Sequence, residues 1–518
     1  MTKQTFIKGA MILLAAGVIN RILGFVPRIA LPRIIGAEGV GLYQLSYPFL
    51  SVMLTLIVGG IPLAIAKWVA EAESSGDTER AKHIFRTAMA LVVTLSLLFT
   101  AALLLLAPWV TTHVLPDSRV YRTFLCMTPL LLIIGISSVY RGYFQGKQNM
   151  VPTAVSQVVE TVIRIIASLS LAAVLLPYGV EWGAAGAMIG VVAGEIGGLS
   201  VLLWKFYRGR PRPAPAAGSG TTAAEREPAL KRLLGLSAPV TASQMVGSLS
   251  GLLESIFITR SLAAAGIVTS VATAQYGALK GMIMPLVLLP TALTYSLAVS
   301  LVPSLSEAAA RGDRATIHKR LHQSMRLALV TGAPFVIVMW LFAEPICRLL
   351  YNHAEIAPML RLIALVGLFI YLQAPLQASL QALNKAGTAL TNTFIGAAIK
   401  LTLIIQLASN PDFGIYGALI AISVNIILVT LLHAVSVLRY IGFRMKGTDF
   451  LKVGAAMTIM GAAAQWLMNR QLLPAEWLNL AGACAAGAAI YLVLMVVMGI
   501  IDRHDAARVP FIGRWFRP

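Results

Sequence analysis

The chain has 518 residues, 58% hydrophobic and only 12% charged, with a mean hydropathy of +0.80. A soluble domain carries about a quarter charged residues, so this composition excludes one, and long apolar runs in place of short alternating segments exclude a β-barrel. The formal net charge of +20 invites a nucleic-acid partner, but the basic residues gather in alternate loops, as the positive-inside rule expects of cytoplasmic loops.

In chain order, apolar spans are predicted at 7–33, 40–70, 86–112, 121–141, 152–177, 183–207, 232–262, 274–305, 323–343, 357–381, 388–408, 414–438, 450–469 and 478–501, about fourteen in all. Lys3 and Lys8 precede the first, which puts the N-terminus in the cytoplasm. The loops that are then cytoplasmic hold Arg80, Lys82 and Arg86; Arg141 and Lys147; Arg311, Arg314, Lys319 and Arg320; and Arg439, Arg444 and Lys446. The opposite loops hold few, among them Arg119, Arg122, Arg348 and Arg470. An even number of spans returns the C-terminus to the cytoplasm.

The expected organisation is an N-lobe of six spans at 1–207, a flexible cytoplasmic linker at 208–230 and a C-lobe of six spans at 231–440, then a two-helix pair at 441–502 and a basic cytoplasmic tail at 503–518. The lobes repeat one another. EAESSGD begins at Glu71 and EAAARGD at Glu307, and the same shift of 236 carries Gly76 to Gly312, Asp77 to Asp313, Gln145 to Gln381 and Arg164 to Lys400. WGAAGA from Trp182 echoes IYGA near Gly417, with a few residues deleted. Repeats of equal orientation place a binding site between rocking halves in many transporters.

Soluble-type motifs are absent. GYFQGKQ at Gly142 is one residue short of a phosphate-binding loop and lacks its Ser or Thr. GSLSG at Gly247 has its serine one place off a nucleophile elbow, and GAEGVG at Gly36 is no dinucleotide fingerprint. GAAGAMIG at Gly183 reads as a small-residue face for close helix packing. Cys126, Cys347 and Cys484 are scattered, and His318 with His322 lie one turn apart on a basic, solvated face. No metal site and no cofactor is expected.

The charges inside the spans carry the argument. The first span contains INRILGFVPRIALPRIIG from Ile19, in which Arg21, Arg28 and Arg33 interrupt an apolar run; each arginine costs roughly 2.5–3.5 kcal/mol at a bilayer centre. Arg21 and Arg28 are seven residues apart and share a helix face. Pro27 and Pro32 loosen that helix, which is tolerated beside protein or a wet cavity. Glu160 and Arg164 are one turn apart, Lys400 occupies the matching place in the second lobe, and Glu195, Glu254, Arg260 and Lys280 also lie in apolar runs. Two readings stay open for Glu160–Arg164, a self-neutralising ion pair or a cavity site. Two also stay open for Arg33, an interfacial snorkelling residue or a cavity residue. Intramembrane bases outnumber acids, and no aspartate lies mid-span. An arginine fork suits phosphate oxygens, so the cavity is expected to accept an anionic diphosphate headgroup.

GAEGVGLYQLSYP (Gly36 to Pro48), YRGYFQGKQNMVP (Tyr140 to Pro152), LPYGVEWGAAGAM (Leu176 to Met188), LTYSLAVSLVPSLSEA (Leu293 to Ala308) and LQALNKAG (Leu380 to Gly387) resemble the stage V sporulation protein B family. That family sits in the polysaccharide-transporter branch of the MOP superfamily, beside the MurJ lipid II flippases and, more distantly, the MATE exporters. The resemblance implies an all-α MurJ-like fold of two six-helix lobes plus two C-terminal helices. It also implies export of a lipid-linked, undecaprenyl-diphosphate peptidoglycan precursor for the spore cortex, by a monomer in the bacterial cell membrane. Membrane lipids and cell-wall synthesis proteins are its implied partners. The first-span arginine of MurJ-type flippases matches Arg21 in NRILGF, and the next falls on Pro27, so that Arg28 is a neighbour of the match. Arg28, Arg33, Glu160, Arg164, Glu195, Glu254 and Lys400 fit the family pattern, whereas Arg260 and Lys280 stand outside it.

Two other functions compete. A membrane-embedded glycosyltransferase or polymerase needs catalytic carboxylates at a sizeable outer loop, and only the dispersed Asp117, Glu344 and Glu355 are on offer. A cation-coupled multidrug exporter wants intramembrane aspartates, which are missing.

Overall fold

The computed structural model describes residues 6–208 and 229–500. The expected linker and basic tail lie mostly outside them. Nineteen α-helices are formed by the described residues, with no strand among them. In the first part they are α1 Phe6–Leu23, α2 Phe25–Ile57, α3 Ile61–Ser74, α4 Thr78–Trp109, α5 Val120–Gly146, α6 Val151–Leu175, α7 Val180–Arg208, α8 Ala229–Ala264 and α9 Thr269–Gly277. Then follow α10 Met284–Val287, α11 Thr291–Ala310, α12 Arg314–Leu341, α13 Ala343–Tyr351, α14 Ala357–Ala364, α15 Gly367–Ala382, α16 Ala386–Ala408, α17 Ile415–Ile441, α18 Gly447–Arg470 and α19 Glu476–Val497. Packing divides the chain into two compact units between Met282 and Ile283, so that α8 and α9 pack with the first.

Ten helical stretches among the described residues are long and apolar enough to cross a membrane, or eleven with the bent pair Ala354–Ala364 and Gly367–Ala382. The protein is a multi-pass membrane protein. The count is lower than the fourteen spans predicted for two reasons. Met11–Ser74 runs on as one stretch of 64 residues, about 96 Å of helix at 1.5 Å per residue against a hydrocarbon core of about 30 Å. That is enough for more than one crossing, and the stretch is broken where Gly36 leaves helical geometry (φ 68°, ψ 179°). At the other predicted places, α8 is diluted by the polar and small residues of SAPVTASQMVGSLSG, and the stretch after α9 is broken by a π-helical turn at Ala278–Ile283 and again before Thr291.

The internal repeat is visible in local geometry. Asp77 caps α4 by accepting from the Arg80 amide (2.9 Å), and Asp313 caps α12 by accepting from the Thr316 amide (3.0 Å). The preceding glycines, Gly76 and Gly312, both have positive φ (73° and 68°). After α5, Gln148 (φ 55°) matches Asn384 (φ 57°) after α15. The amide of Asn149 reaches Phe144 O (3.0 Å) as that of Lys385 reaches Leu380 O (2.8 Å). A β-carbon on Gly186 would lie 2.5 Å from Leu171 O and one on Gly417 2.6 Å from Leu407 O, which sets the register of the WGAAGA echo.

In the first unit, the close approach of α7 to α6 positions everything that follows. Gly186, Gly190, Gly194 and Gly198 recur every fourth residue, the spacing of one helix face. A β-carbon on Gly190 would lie 2.2 Å from the backbone of Ser168, and one on Gly194 2.6 Å from Arg164 Cβ. Small residues let backbones meet where lipid supplies no hydrophobic drive. α8 lies on α2 and α3 in the same manner: Gly60 packs on Ser237 and Val240, its amide donates to Thr241 Oγ1 (3.0 Å), and the Thr55 and Ser248 hydroxyls meet at 2.8 Å. Just past the Gly36 break in α2, Arg119 pairs with Glu38 (2.7 Å), while Asp117 accepts from Arg119 Nε (3.0 Å) and from the Thr273 hydroxyl (2.8 Å).

In the second unit, a core of Leu305, Leu321, Leu329, Leu380 and Met495 joins α11, α12, α15 and α19. Tyr371 and Tyr491 are buried, and their hydroxyls donate to Val287 O (2.9 Å) and Val330 O (3.0 Å). A polar seam links α16 to α17, where the Asn392 amide meets His433 Nδ1 (3.1 Å) and Ser436 Oγ (3.0 Å). The histidines of α12 correct the expectation of a merely solvated face. His318 Nε2 lies 2.6 Å from Ile441 O, and His322 pairs with Asp449 at 3.2 Å, so both tie α12 to its neighbours.

Candidate functional site

Five helices of the first unit, α2, α5, α6, α7 and α8, line a partly open cavity of about 300 Å³. Tyr47, Thr55, Ile134, Arg164, Glu195 and Gln244 are among its lining residues. Its charged lining side chains are Arg164 on α6 and Glu195 on α7, and Arg164 leads to a buried ion-pair group. The Glu160 carboxylate is buried and takes two guanidiniums, Arg141 Nη2 on Oε2 (2.7 Å) and Arg164 Nη1 on Oε1 (3.0 Å). Arg164 Nη2 also donates to Thr161 Oγ1 (3.3 Å).

The glycine face of α7 sets Glu195 against this group. Gly194 and Gly198 rest on Glu160 itself, with ideal β-carbons 2.8 Å from its carbonyl oxygen and 3.0 Å from its Cβ. Glu195 is 7% exposed and borders the cavity beside Arg164. α2 contributes Tyr47 to the lining, and the ring of Tyr43, one turn earlier, lies 6.3 Å from that of Tyr47. The Arg28 guanidinium lies 5.8 Å over the Phe25 ring. Two guanidiniums therefore meet two carboxyls here, and a half-buried guanidinium such as Arg164 offers paired donors that match phosphate oxygens.

The residues expected to form a site fall into several groups. Glu160, Arg164 and Glu195 come together at the cavity. Arg21, Arg28 and Arg33 are exposed, Arg21 on α1 and the other two on α2. Lys400 is buried in α16 of the second unit. Glu254 is buried and bonded to Lys280, so these two hold α8 to the turn after α9. Arg260 is exposed and donates to the carbonyls of His113 and Val114 (3.0 Å to the latter), clasping the end of α8 to the turn that follows α4.

Sequence reasoning missed Arg141, which it assigned to a cytoplasmic loop. In the structure α5 continues to Gly146, so Arg141 stands inside the helix with its guanidinium on Glu160. The available signal was the apolar and aromatic pattern of VYRGYF, which runs through Arg141 without a break. The carboxylates expected in outer loops have local partners: Asp117 has Arg119, Glu344 has Arg348 (3.8 Å), and Glu355 has His353 (2.5 Å).

A family model described as polysaccharide biosynthesis protein matches residues 6–309, and one described as MatE matches residues 240–405. Stage V sporulation protein B of Bacillus subtilis (strain 168) is 41% identical over 520 residues, covering 99% of this chain and 99% of that protein. Lipid II flippase MurJ of the same organism is 25% identical over 532 residues, 97% of each. Among solved structures, lipid II flippase MurJ in an inward closed conformation shares the fold, with a TM-score of 0.69 at 16% identity over 94% of this chain and 98% of that one. The chain belongs to the polysaccharide biosynthesis protein family and, within it, to the family of stage V sporulation protein B.

Proposed function

We propose that the protein is a flippase: it carries a lipid-linked peptidoglycan precursor, an undecaprenyl-diphosphate lipid of the lipid II kind, to the outer leaflet for spore cortex synthesis. It acts by alternating access, as a monomer with both termini in the cytoplasm, and not as an enzyme. The observation that carries this reading is the half-buried Arg164 on a cavity of about 300 Å³ in the membrane-spanning part of the chain, with Tyr47 and Gln244 in the same lining. Arginine forks in a site of low dielectric hold diphosphate oxygens more firmly than exposed ones do. The relatives named lipid II flippase and stage V sporulation protein support the substrate class and the setting. In this reading the N-lobe, linker, C-lobe and C-terminal pair keep the bounds expected from the sequence. Arg21, Arg33 and Lys400 assist the headgroup at other stages of the cycle, while Glu254, Lys280 and Arg260 support helix packing.

The test is binding of undecaprenyl diphosphate to the purified protein, together with lipid II translocation in liposomes. Losing one charge-assisted contact costs about 1.5–3 kcal/mol, so Arg164→Ala is expected to weaken binding roughly 10- to 100-fold. Arg164→Lys is expected to recover part of that loss, because it restores the charge but not the fork. An Arg28→Ala/Arg164→Ala variant that folds, inserts and binds as the parent does would overturn the proposal.

A further inference from the structure

Glu195 presents a chemical problem that Arg141, Arg164 and Glu160 do not solve. The two Glu160 oxygens are already committed, one to each guanidinium, at 2.7 and 3.0 Å. Glu195 is buried on α7 between Gly194 and Gly198, the two glycines that rest on Glu160, yet its own Oε2 is buried and has no donor among the described residues. The charged and titratable groups that act on this corner come from every packed element: Glu160 and Arg164 on α6, Arg141 on α5 and Tyr47 on α2. An ionised carboxylate is an acceptor only, so two of them share a hydrogen bond only when one carries a proton. Leaving a buried acceptor unsatisfied costs about 1–3 kcal/mol, more when it is charged.

We propose that Glu195 is a proton-binding site that sets the affinity of the cavity for its anionic headgroup. With the proton bound, Glu195 donates to Glu160, and the two guanidiniums outweigh the single remaining carboxylate by one positive charge. With the proton lost, two carboxylates balance two guanidiniums, and Glu195 competes with the headgroup for Arg164. The headgroup and the proton therefore strengthen each other's binding by the same factor. This inference rests on the headgroup reading above only for the identity of the anion; the proton site itself stands on the geometry of the two carboxyls.

The experiment has one arm for each part. Infrared difference spectroscopy of the full chain in lipid bilayers, with no headgroup present, reads the carbonyl stretch of a protonated carboxyl. That band is expected at neutral pH in the parent, absent in Glu195→Gln and kept in Glu195→Asp. Its absence from the parent, or its persistence unchanged in Glu195→Gln, overturns the proposal. Glu195→Gln is neutral and nearly isosteric, so it preserves the packing of the protonated state. In the second arm, binding of undecaprenyl diphosphate is followed from mildly acidic to mildly alkaline pH. Affinity of the parent is expected to fall by up to about tenfold per pH unit, the limit for one linked proton, and that of Glu195→Gln to stay flat. A Glu195→Gln variant that keeps the parent's slope, or binding that follows sodium in place of pH, also overturns it. If the infrared band behaves as expected while no variant binds the diphosphate, the headgroup reading fails and the proton site stands.

Discussion

Replacing Gly190 by alanine tests the geometry that assembles the cavity. The new β-carbon would lie 2.2 Å from both the Cα and the amide nitrogen of Ser168, and 2.5 Å from its hydroxyl. An ordinary contact begins near 3.4 Å, so α6 and α7 must part by about 1.2 Å at that point (3.4 − 2.2). The obstacle is backbone in mid-helix, which has no rotamer to change. Overpacking of this kind costs about 1–3 kcal/mol, and at roughly 2–4 °C per kcal/mol for a large domain it lowers the unfolding midpoint by about 2–12 °C. Gly247→Ala is the control, because its β-carbon meets nothing within 4 Å. Alanine also gains up to about 1 kcal/mol of helix propensity over glycine there. The assay is thermal unfolding of both purified variants in one detergent. A Gly190→Ala protein that melts with the parent, or a Gly247→Ala protein that falls as far, would refute the close α6–α7 packing and, with it, the placement of Glu195 beside Glu160.

Reversing the ion pair with Glu160→Arg plus Arg164→Glu is expected to fail. The swap puts position 160 beside Arg141, now 2.7 Å from the Glu160 carboxylate, and like charges at that range repel; normal flipping by the double variant would mean that Arg141 does not matter to the group. The Asp313 cap makes a prediction about pH. The Thr316 hydroxyl, then its amide, hold the Asp313 carboxyl below the usual carboxylate range. A depressed folded value adds stability above the unfolded value, near 3.9, and that stability is lost as pH falls through the folded value. Protection of the Thr316 amide from hydrogen exchange is therefore expected to drop in acid for the parent and to stay level in Asp313→Asn, whose side chain caps at any pH; equal loss in both would remove the cap from the explanation.

Much of the fold was legible because membrane helices obey one-dimensional rules. Apolar runs of bilayer length, the 236-residue shift and the fourfold glycine spacing of α7 are all read along the chain, and each reappears as structure in caps, positive-φ turns and close helix contact. The site was only partly legible. Helical periodicity reveals that Glu160 and Arg164 share a face, but not which helix that face meets. Where α5 ends, how α7 lies on α6 and which unit α8 packs with are decided by contacts between residues far apart in sequence. Those contacts turned Arg141 from a loop residue into the second partner of Glu160. They also turned Glu195 from one more acid in an apolar run into a buried carboxyl on the helix face that rests on Glu160. The sequence by itself determined that charges had to be buried in the membrane; only the tertiary structure decided which of them neutralise one another, because desolvation is felt along the chain and pairing only across it.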